Sequence, residues 1–200
     1  MKLITTTPPS VEPVSLLEVK LHLRLAVDET SATAYNQEDD LLNALIKTAR
    51  EKVEQYTGRA LLTQTKKMYL DRWPDGNSKA IPYPPLQTVT SVKYRPVDSE
   101  AYTTFTDYEA DIVSVPGRIV LKPNASWPSD VLHPLNPIEI IFTCGYGATS
   151  ASVPAAIRSA ILLIVSDMYE NRTDMTDRAV NYSGAINSLL TSFRDWTFII

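Results

Sequence analysis

The spacing of apolar residues first predicts a long amphipathic helix that begins at Asp39 and ends at Gly58. Its apolar residues recur at intervals of three and four and so fall on one stripe: Leu41, Leu42, Leu45, Ile46, Ala49, Val53 and Tyr56. Asp39 and Asp40 complement the positive end of the helix, and Gly58 is typical of a left-handed C-cap. This is the clearest element of the pattern.

Three further helical segments are predicted around it. Ser15 and Glu18 form a capping-box motif, followed by a leucine-rich helix near 16–25. Pro154 is typical of a first helical turn. The residues that follow, as far as Met168, are so apolar that most faces of this helix must be buried. Ala185–Leu190 is long enough for one or two more turns.

Between 60 and 147 the period changes to that of β-structure. The β-branched and aromatic runs are Thr63–Leu70, Val89–Tyr94, Ile119–Leu121 and Ile138–Cys144. Eleven of the fourteen prolines lie from Pro74 to Pro154, which predicts short strands and proline-rich connections. The segment 26–36 is polar and without a period, and we expect an exposed loop there.

The predicted fold class is α+β: a mainly α-helical core of three to four helices with a small β-rich insertion lobe. As a single domain spanning 1–200, it would divide into a helical core at 14–59 and 153–192, a β-rich insertion at 60–147 and a C-terminal tail at 193–200. We expect the second and third helices to pack together, with the first alongside. A chain of this length can bury roughly 70% of its unfolded surface.

Composition excludes several classes of function. Nineteen basic and twenty-three acidic residues give a net charge of −4, so the chain lacks the positive field that non-specific phosphate binding needs. One cysteine and two distant histidines offer no multi-cysteine zinc site and no local metal motif. The longest apolar run, Ala160–Val165, is far short of a membrane span. We therefore expect no metal, no cofactor and no membrane association.

Several sequence blocks stand in a characteristic order along the chain. They are "EQYTGRALLTQT" at 54–65, "LDRWP" at 70–74, "PPLQTVTSVKY" at 84–94, "SWP" at 126–128, "IFTCGYG" at 141–147 and "VPAAIRSAILLIVSDMYENR" at 153–172. A helix-one segment at 17–24 and "DYE" at 107–109 add to them. In this order the blocks resemble the head-tail connector (adaptor) family of tailed bacteriophages, whose members also include possible DNA-packaging proteins. The likeness spans 14–172 and fades after Arg172.

This resemblance implies a structural virion protein at the neck of the particle, assembled in the bacterial host cytoplasm. About twelve copies would form a cyclic ring beneath the portal protein and receive the tail-proximal connector or stopper protein. The ring would continue the channel through which DNA passes during packaging and ejection, without binding that DNA specifically. The resemblance also implies that the chain is not an enzyme.

Three motifs invite a chemical interpretation, and each has a plainer one. Thr57-Gly58-Arg59 lacks the further glycines of a phosphate loop, so Gly58 is interpreted as a C-cap, with Arg59 near the helix end or a neighbouring subunit. Cys144 precedes a Gly-Tyr-Gly turn but has no visible base, and is interpreted as a small buried hydrophobe at a strand end. The Glu38–Asp40 carboxylates are interpreted as helix-dipole partners rather than metal ligands.

The candidate interface residues lie mainly at the C-terminus, where large apolar side chains are concentrated: Phe193, Arg194, Trp196, Phe198, Ile199 and Ile200. Such a chain end requires cover, either by its own core or by a portal subunit or ring neighbour, and we expect docking to a partner. Arg59, Trp73 and Arg172 are further interface candidates. Trp73 equally suits a loop anchored by its indole ring, and Arg172 ordinary helix capping.

Two alternatives to a structural adaptor remain at this point. One is a Cys-dependent hydrolase built on Cys144, which would need a pocket of converging titratable groups. The other is a nucleic-acid-binding DNA-packaging accessory protein, which would need a basic stripe. The sequence displays neither feature.

Overall fold

The structure is a computed structural model, and it describes residues 1–26, 28–171 and 184–198. Within these residues the helices are α1 (Leu16–His22), α2 (Glu29–Ala34), α3 (Asp39–Thr57), α4 (Ala155–Glu170) and α5 (Gly184–Leu190). The strands are β1 (Lys2–Thr7), β2 (Gln64–Leu70), β3 (Ser78–Ala80), β4 (Leu86–Tyr94), β5 (Thr103–Phe105), β6 (Tyr108–Asp111), β7 (Arg118–Leu121) and β8 (Ile138–Cys144). Short 3₁₀ turns lie at Ser150–Ser152 and Thr191–Phe193.

The chain divides into two compact units. A sheet unit comprises Met1–Pro9, Thr63–Tyr146 and the chain end from Thr197, and a helical unit comprises Ser10–Leu62 and Gly147–Trp196. None of the described helices is both long and apolar enough to traverse a bilayer.

The sheet unit contains two antiparallel sheets. The larger has five strands in the order β1-β2-β8-β4-β5, and the smaller has three in the order β3-β7-β6. Central strand β8 pairs on one side with β2, Gln64 opposite Cys144, and on the other with β4. Alternate residues of these strands, including Met68, Ile140 and Phe142, are buried and form the core of the unit.

In the helical unit, α3 packs against α4, and α1 contacts both of them. The apolar stripe of α3 supplies Leu42, Ile46 and Val53 to the core, and the inner face of α4 supplies Ile157 and Ile161. The helix packing that we expect from the periodicity is thus confirmed. Ser15 accepts from the backbone N–H of Glu18, and the Glu18 carboxylate accepts in return from the Ser15 N–H, which completes the predicted capping box.

The α+β class is confirmed, but the core is not clearly dominated by helices, as the description of a mainly helical core with a small β-rich lobe expects. Within the described residues, five helices accompany eight strands in two antiparallel sheets, and β1 adds an edge strand to the larger sheet from residues outside the predicted insertion. The expected loop at 26–36 is also wrong in part, because Asp28 caps a short helix through the N–H of Ser31. A side-chain cap compensates there for a sequence with no apolar stripe.

Helix α1 ends earlier than the predicted 16–25. His22 is its last residue, and Arg24 has a positive φ of 58°, a backbone conformation that no α-helix contains. The leucines at 23 and 25 therefore lie in the turn that follows the helix.

Candidate interaction surfaces

The C-terminal segment of the helical unit is fastened to the end of α3. The last carbonyls of a helix lack intrahelical partners, and the left-handed Gly58, with φ of 67°, turns the chain away after Thr57. The backbone N–H of Asp195 donates to the carbonyl of Thr57 at 2.7 Å. Arg59 reaches the same segment, because its Nε donates to the carbonyl of Phe193. Two hydrogen bonds therefore fix residues 193–195 on the helix terminus.

The Arg194 guanidinium lies between two aromatic rings. Its carbon is 5.1 Å from the centroid of the Tyr56 ring and 4.1 Å from that of the Trp196 ring. The hydroxyl of Tyr56 donates to Asn187 Oδ1 at 3.2 Å, which connects this stack to α5. Trp196 nevertheless remains 64% exposed. The structure thus presents a large aromatic side chain to solvent on a backbone that is held in place.

The C-terminal residues were expected either to pack on their own core or to dock to a partner, and residues 193–195 pack on their own unit. Phe193 and Arg194 are half-buried and Asp195 is buried, whereas Trp196 is exposed. Phe198 is half-buried and belongs to the sheet unit. Ile199, Ile200 and Arg172 lie outside the described residues. Docking of this segment to a partner stays a prediction, and Trp196 is the described residue available for it.

Trp73 packs inside an aromatic cluster of the sheet unit. Its ring stacks on that of Trp127, with centroids 4.8 Å apart and planes inclined by 13°, and Phe105 and Tyr94 pack at its edges with centroids 5.6 and 5.9 Å away. The Trp127 Nε1–H donates to the carbonyl of Gly76 at 2.8 Å. Trp73 therefore anchors the loops at 73–76 and 127, and its role at an interface stays a prediction.

A network of buried charges in the helical unit was missed by the sequence analysis. The side chain of Arg50 is almost wholly buried and pairs with Glu12 at 2.8 Å and with Glu54 at 3.2 Å. The other carboxylate oxygen of Glu54 accepts from the backbone N–H of Leu61 at 2.9 Å. This network ties the segment before α1 to α3 and to the chain that leaves it. Its only sequence signal is the i, i+4 spacing of Arg50 and Glu54.

The carboxylates at the start of α3 have protein partners. Asp39 pairs with the buried Lys20 at 2.6 Å, and Lys20 also donates to the carbonyl of Ala32. Glu38 accepts from the hydroxyls of Tyr35 and Tyr169, and its hydrogen bond raises the pKa of Tyr35 to about 12. Among the residues that the structure describes, no group of three or more acidic, histidine or cysteine side chains is placed to hold a metal ion.

Cys144 occupies a position that suits the sheet core. It is fully buried on β8, and its Sγ lies 3.8 Å from the carbonyl of Gln64. The Nδ1 of His133 lies 2.6 Å from Nη2 of Arg95 and also accepts from the backbone N–H of Leu135. The thiol is thus enclosed, and the imidazole is engaged with the end of β4.

The chain resembles known proteins in part of its sequence and in its fold. Residues 13–104 match the family model described as phage gp6-like head-tail connector protein. The fold resembles that of a chain in the virion of a native gene transfer agent (GTA) particle, with 22% identity and a TM-score of 0.76. It also resembles a chain in the neck of an empty GTA particle computed with C6 symmetry, with 22% identity and a TM-score of 0.78.

A third structure, the neck of a native GTA particle computed with C12 symmetry, gives a TM-score of 0.69 at 21% identity. Each of the three matches covers 97% of this chain and 95% of the other. At these identities the matches show a shared fold. No curated protein matches the chain. The resemblance to phage head-tail connector proteins is therefore confirmed, by the family match over residues 13–104 and by a fold shared with neck proteins.

Proposed function

We propose that this chain is a structural subunit of the neck of a tailed phage or phage-like particle and forms the adaptor ring between portal and tail. The observation that carries the proposal is the agreement of two independent matches. The family match over 13–104 points to a head-tail connector, and the fold over 97% of the chain is that of proteins in GTA virions and necks.

The ring contains about twelve copies of the chain. Support comes from the C12 and C6 symmetries with which the similar neck structures were computed. A cyclic ring needs a heterologous contact, in which one surface of each copy meets a different surface of the next. The DNA passes through the ring without specific binding, which agrees with a net charge of −4 because like charge keeps the phosphate backbone from adhering.

The C-terminal segment is the docking element for a portal subunit or a ring neighbour. Trp196 supplies the anchor, because tryptophan in a partner's pocket contributes strongly to binding and this indole is largely exposed. Its backbone is already ordered by the bonds of Asp195 and Phe193 to the end of α3, so little conformational entropy is lost on docking. Arg194 stacks on its ring, and Phe193, Phe198, Ile199 and Ile200 are the further residues of the proposed docking segment. Arg59 acts indirectly by holding Phe193.

The chain acts through its contacts rather than through catalysis. It lies in the virion neck, and its partners are the portal and a tail-proximal connector or stopper protein. The burial of Cys144 supports this view, because a nucleophile needs a path to its substrate. Assembly takes place in the bacterial host cytoplasm.

Negative-stain microscopy of the purified chain mixed with its portal protein tests the proposal. The expected result is an additional ring of density on one face of the portal. Portal rings that look the same with and without a saturating amount of the chain would overturn it. The variant Trp196→Ala serves as the matched control, since it should remain folded and leave most portals without the added ring.

A further inference from the structure

Two groups of exposed apolar side chains lie at the ends of the two sheets. The first, called the apolar tip, is the turn between β6 and β7 and contains Ile112, Val113 and Val115. Val113 is 89% exposed, although valine is normally a core residue. No charged side chain lies between Asp111 and Arg118, and the polar Ser114 bonds to Asp111, so the side chains that the tip exposes most are apolar.

The apolar tip is held in one conformation by Asp111. One carboxylate oxygen accepts from the backbone N–H groups of Val113 and Ser114, at 3.1 and 3.0 Å. The other accepts from the Ser114 hydroxyl at 2.7 Å and from Nε of Arg118 at 2.9 Å. The inward-facing polar groups are thus satisfied by Asp111, and the valines point to solvent. A turn ordered in this way has already lost the entropy that docking would otherwise cost.

The second group, called the strand-end patch, contains Val97, Val131 and Leu135. It lies where the chain continues beyond β4 and before β8, and it is joined by a backbone bond from the Val97 N–H to the Val131 carbonyl at 2.8 Å. Nη2 of Arg95 donates to the carbonyl of Leu135 at 3.0 Å. Val131 and Leu135 are 73% and 68% exposed, so the residues that the structure describes leave this patch open.

We propose that the apolar tip of one copy docks on the strand-end patch of the next copy in the ring. This inference rests on the proposed function, because a closed ring requires two different surfaces on every subunit that fit each other. The sheet unit carries two such surfaces, both apolar and both ordered by hydrogen bonds. The exposed Asp98 and Asp130 flank the patch and disfavour phosphate there, whereas an apolar surface of a second copy carries no charge for them to repel.

Cysteine cross-linking of the purified full chain tests the proposal. In Val113→Cys/Val131→Cys each copy carries one thiol on the tip and one on the patch. The native Cys144 is buried and takes no part. Oxidation of the concentrated protein should give a ladder of dimers, trimers and larger species on a denaturing gel. The control, Val113→Cys/Leu41→Cys, has the same tip thiol and an exposed second thiol on α3.

The expected result is several-fold more trimer and larger species from the tip-and-patch variant than from the control. Equal ladders, or none beyond the dimer, would overturn the proposal and leave another partner for the tip. The result is separable from the proposed function. If the chain cross-links into a ladder but is absent from particle necks, the adaptor role is wrong. If the chain is present in necks but gives no more ladder than the control, only the tip-and-patch contact is wrong.

Discussion

The backbone N–H of Asp195 donates to the carbonyl of Thr57, across 138 residues of sequence, and so caps the end of α3 with the C-terminal segment. Deleting 195–200 should leave this buried carbonyl without its partner. The expected cost is about 1–3 kcal/mol in free energy of unfolding. For a chain of this size that lowers Tm by roughly 2–4 °C per kcal/mol. Calorimetry checks the prediction, and an unchanged Tm would contradict the capping role.

Arg59 should stabilise the same segment through its side chain. The variant Arg59→Ala removes the bond from Nε to the carbonyl of Phe193, and hydrogen bonds to charged groups are worth about 1.5–3 kcal/mol. Urea unfolding measures the loss. Arg72→Ala, at an exposed position, is the matched control and should change stability by less than about 0.5 kcal/mol. Equal effects of the two variants would show that the Arg59 bond adds nothing.

Trp196 should matter for assembly and little for folding. Its described contact within the chain is the stacking of Arg194 on the exposed indole, which contributes about 0.5–1 kcal/mol. We expect Trp196→Ala to unfold within about 2–4 °C of the wild type, and to be depleted from particle necks. Quantitative gels of purified particles provide the measurement. Leu21→Ala, another exposed apolar position, should be incorporated normally. Normal incorporation of Trp196→Ala would remove it as an anchor.

Breaking the buried network at Arg50 should be the most damaging of these changes. Arg50→Ala leaves Glu54 buried without its cation, and such losses typically cost about 3–5 kcal/mol. The double variant Arg50→Met/Glu54→Leu removes both charges, although the Leu61 N–H then loses its acceptor. We expect the double variant to be no less stable than Arg50→Ala, as measured by denaturant unfolding. If the double variant instead loses as much free energy of unfolding as the two single substitutions lose together, the two side chains are not coupled.

The apolar tip should lose its order in acid. Hydrogen bonds from the Ser114 side chain and backbone, followed by those of Arg118 and Val113, hold the pKa of Asp111 well below its ordinary value. A depressed folded-state pKa means that the stabilisation is complete above the unfolded-state pKa and is lost as the pH falls towards the folded-state pKa. NMR of the Val113 and Ser114 amides should show protection that declines only below the ordinary range of aspartate. Asp111→Asn should remove this acid transition, and a transition that persists in the variant would exclude Asp111 as its origin.

The sequence predicted the helices and strands that depend mainly on residues close together in the chain. The apolar stripe and Gly58 place α3, and the β-branched run Ile138–Cys144 coincides with β8. The edge strand β1 was missed because its short, mostly polar sequence becomes a strand only by pairing with β2, more than 50 residues away. Helix α2 was missed because a side-chain cap, rather than an apolar face, starts it.

The interaction surfaces were predictable only in part. The concentration of aromatic residues marked Trp196 as a candidate. Its neighbours Phe193 and Asp195 are held by their backbone groups, Phe193 by Arg59 and Asp195 by Thr57, and backbone groups leave no signal in the identity of their own side chains. The apolar tip was not predicted, because the sequence alone does not distinguish an exposed valine in a turn from a buried valine in a strand. Only the fold shows that Val113 is outside the core.

Cryo-electron microscopy of particles made with and without this chain tests the adaptor role most directly. We predict a cyclic ring of about twelve copies immediately beneath the portal in complete particles, and filled heads without tails when the chain is absent. Tails that attach to portals without the chain, or density for the chain outside the neck, would contradict the account.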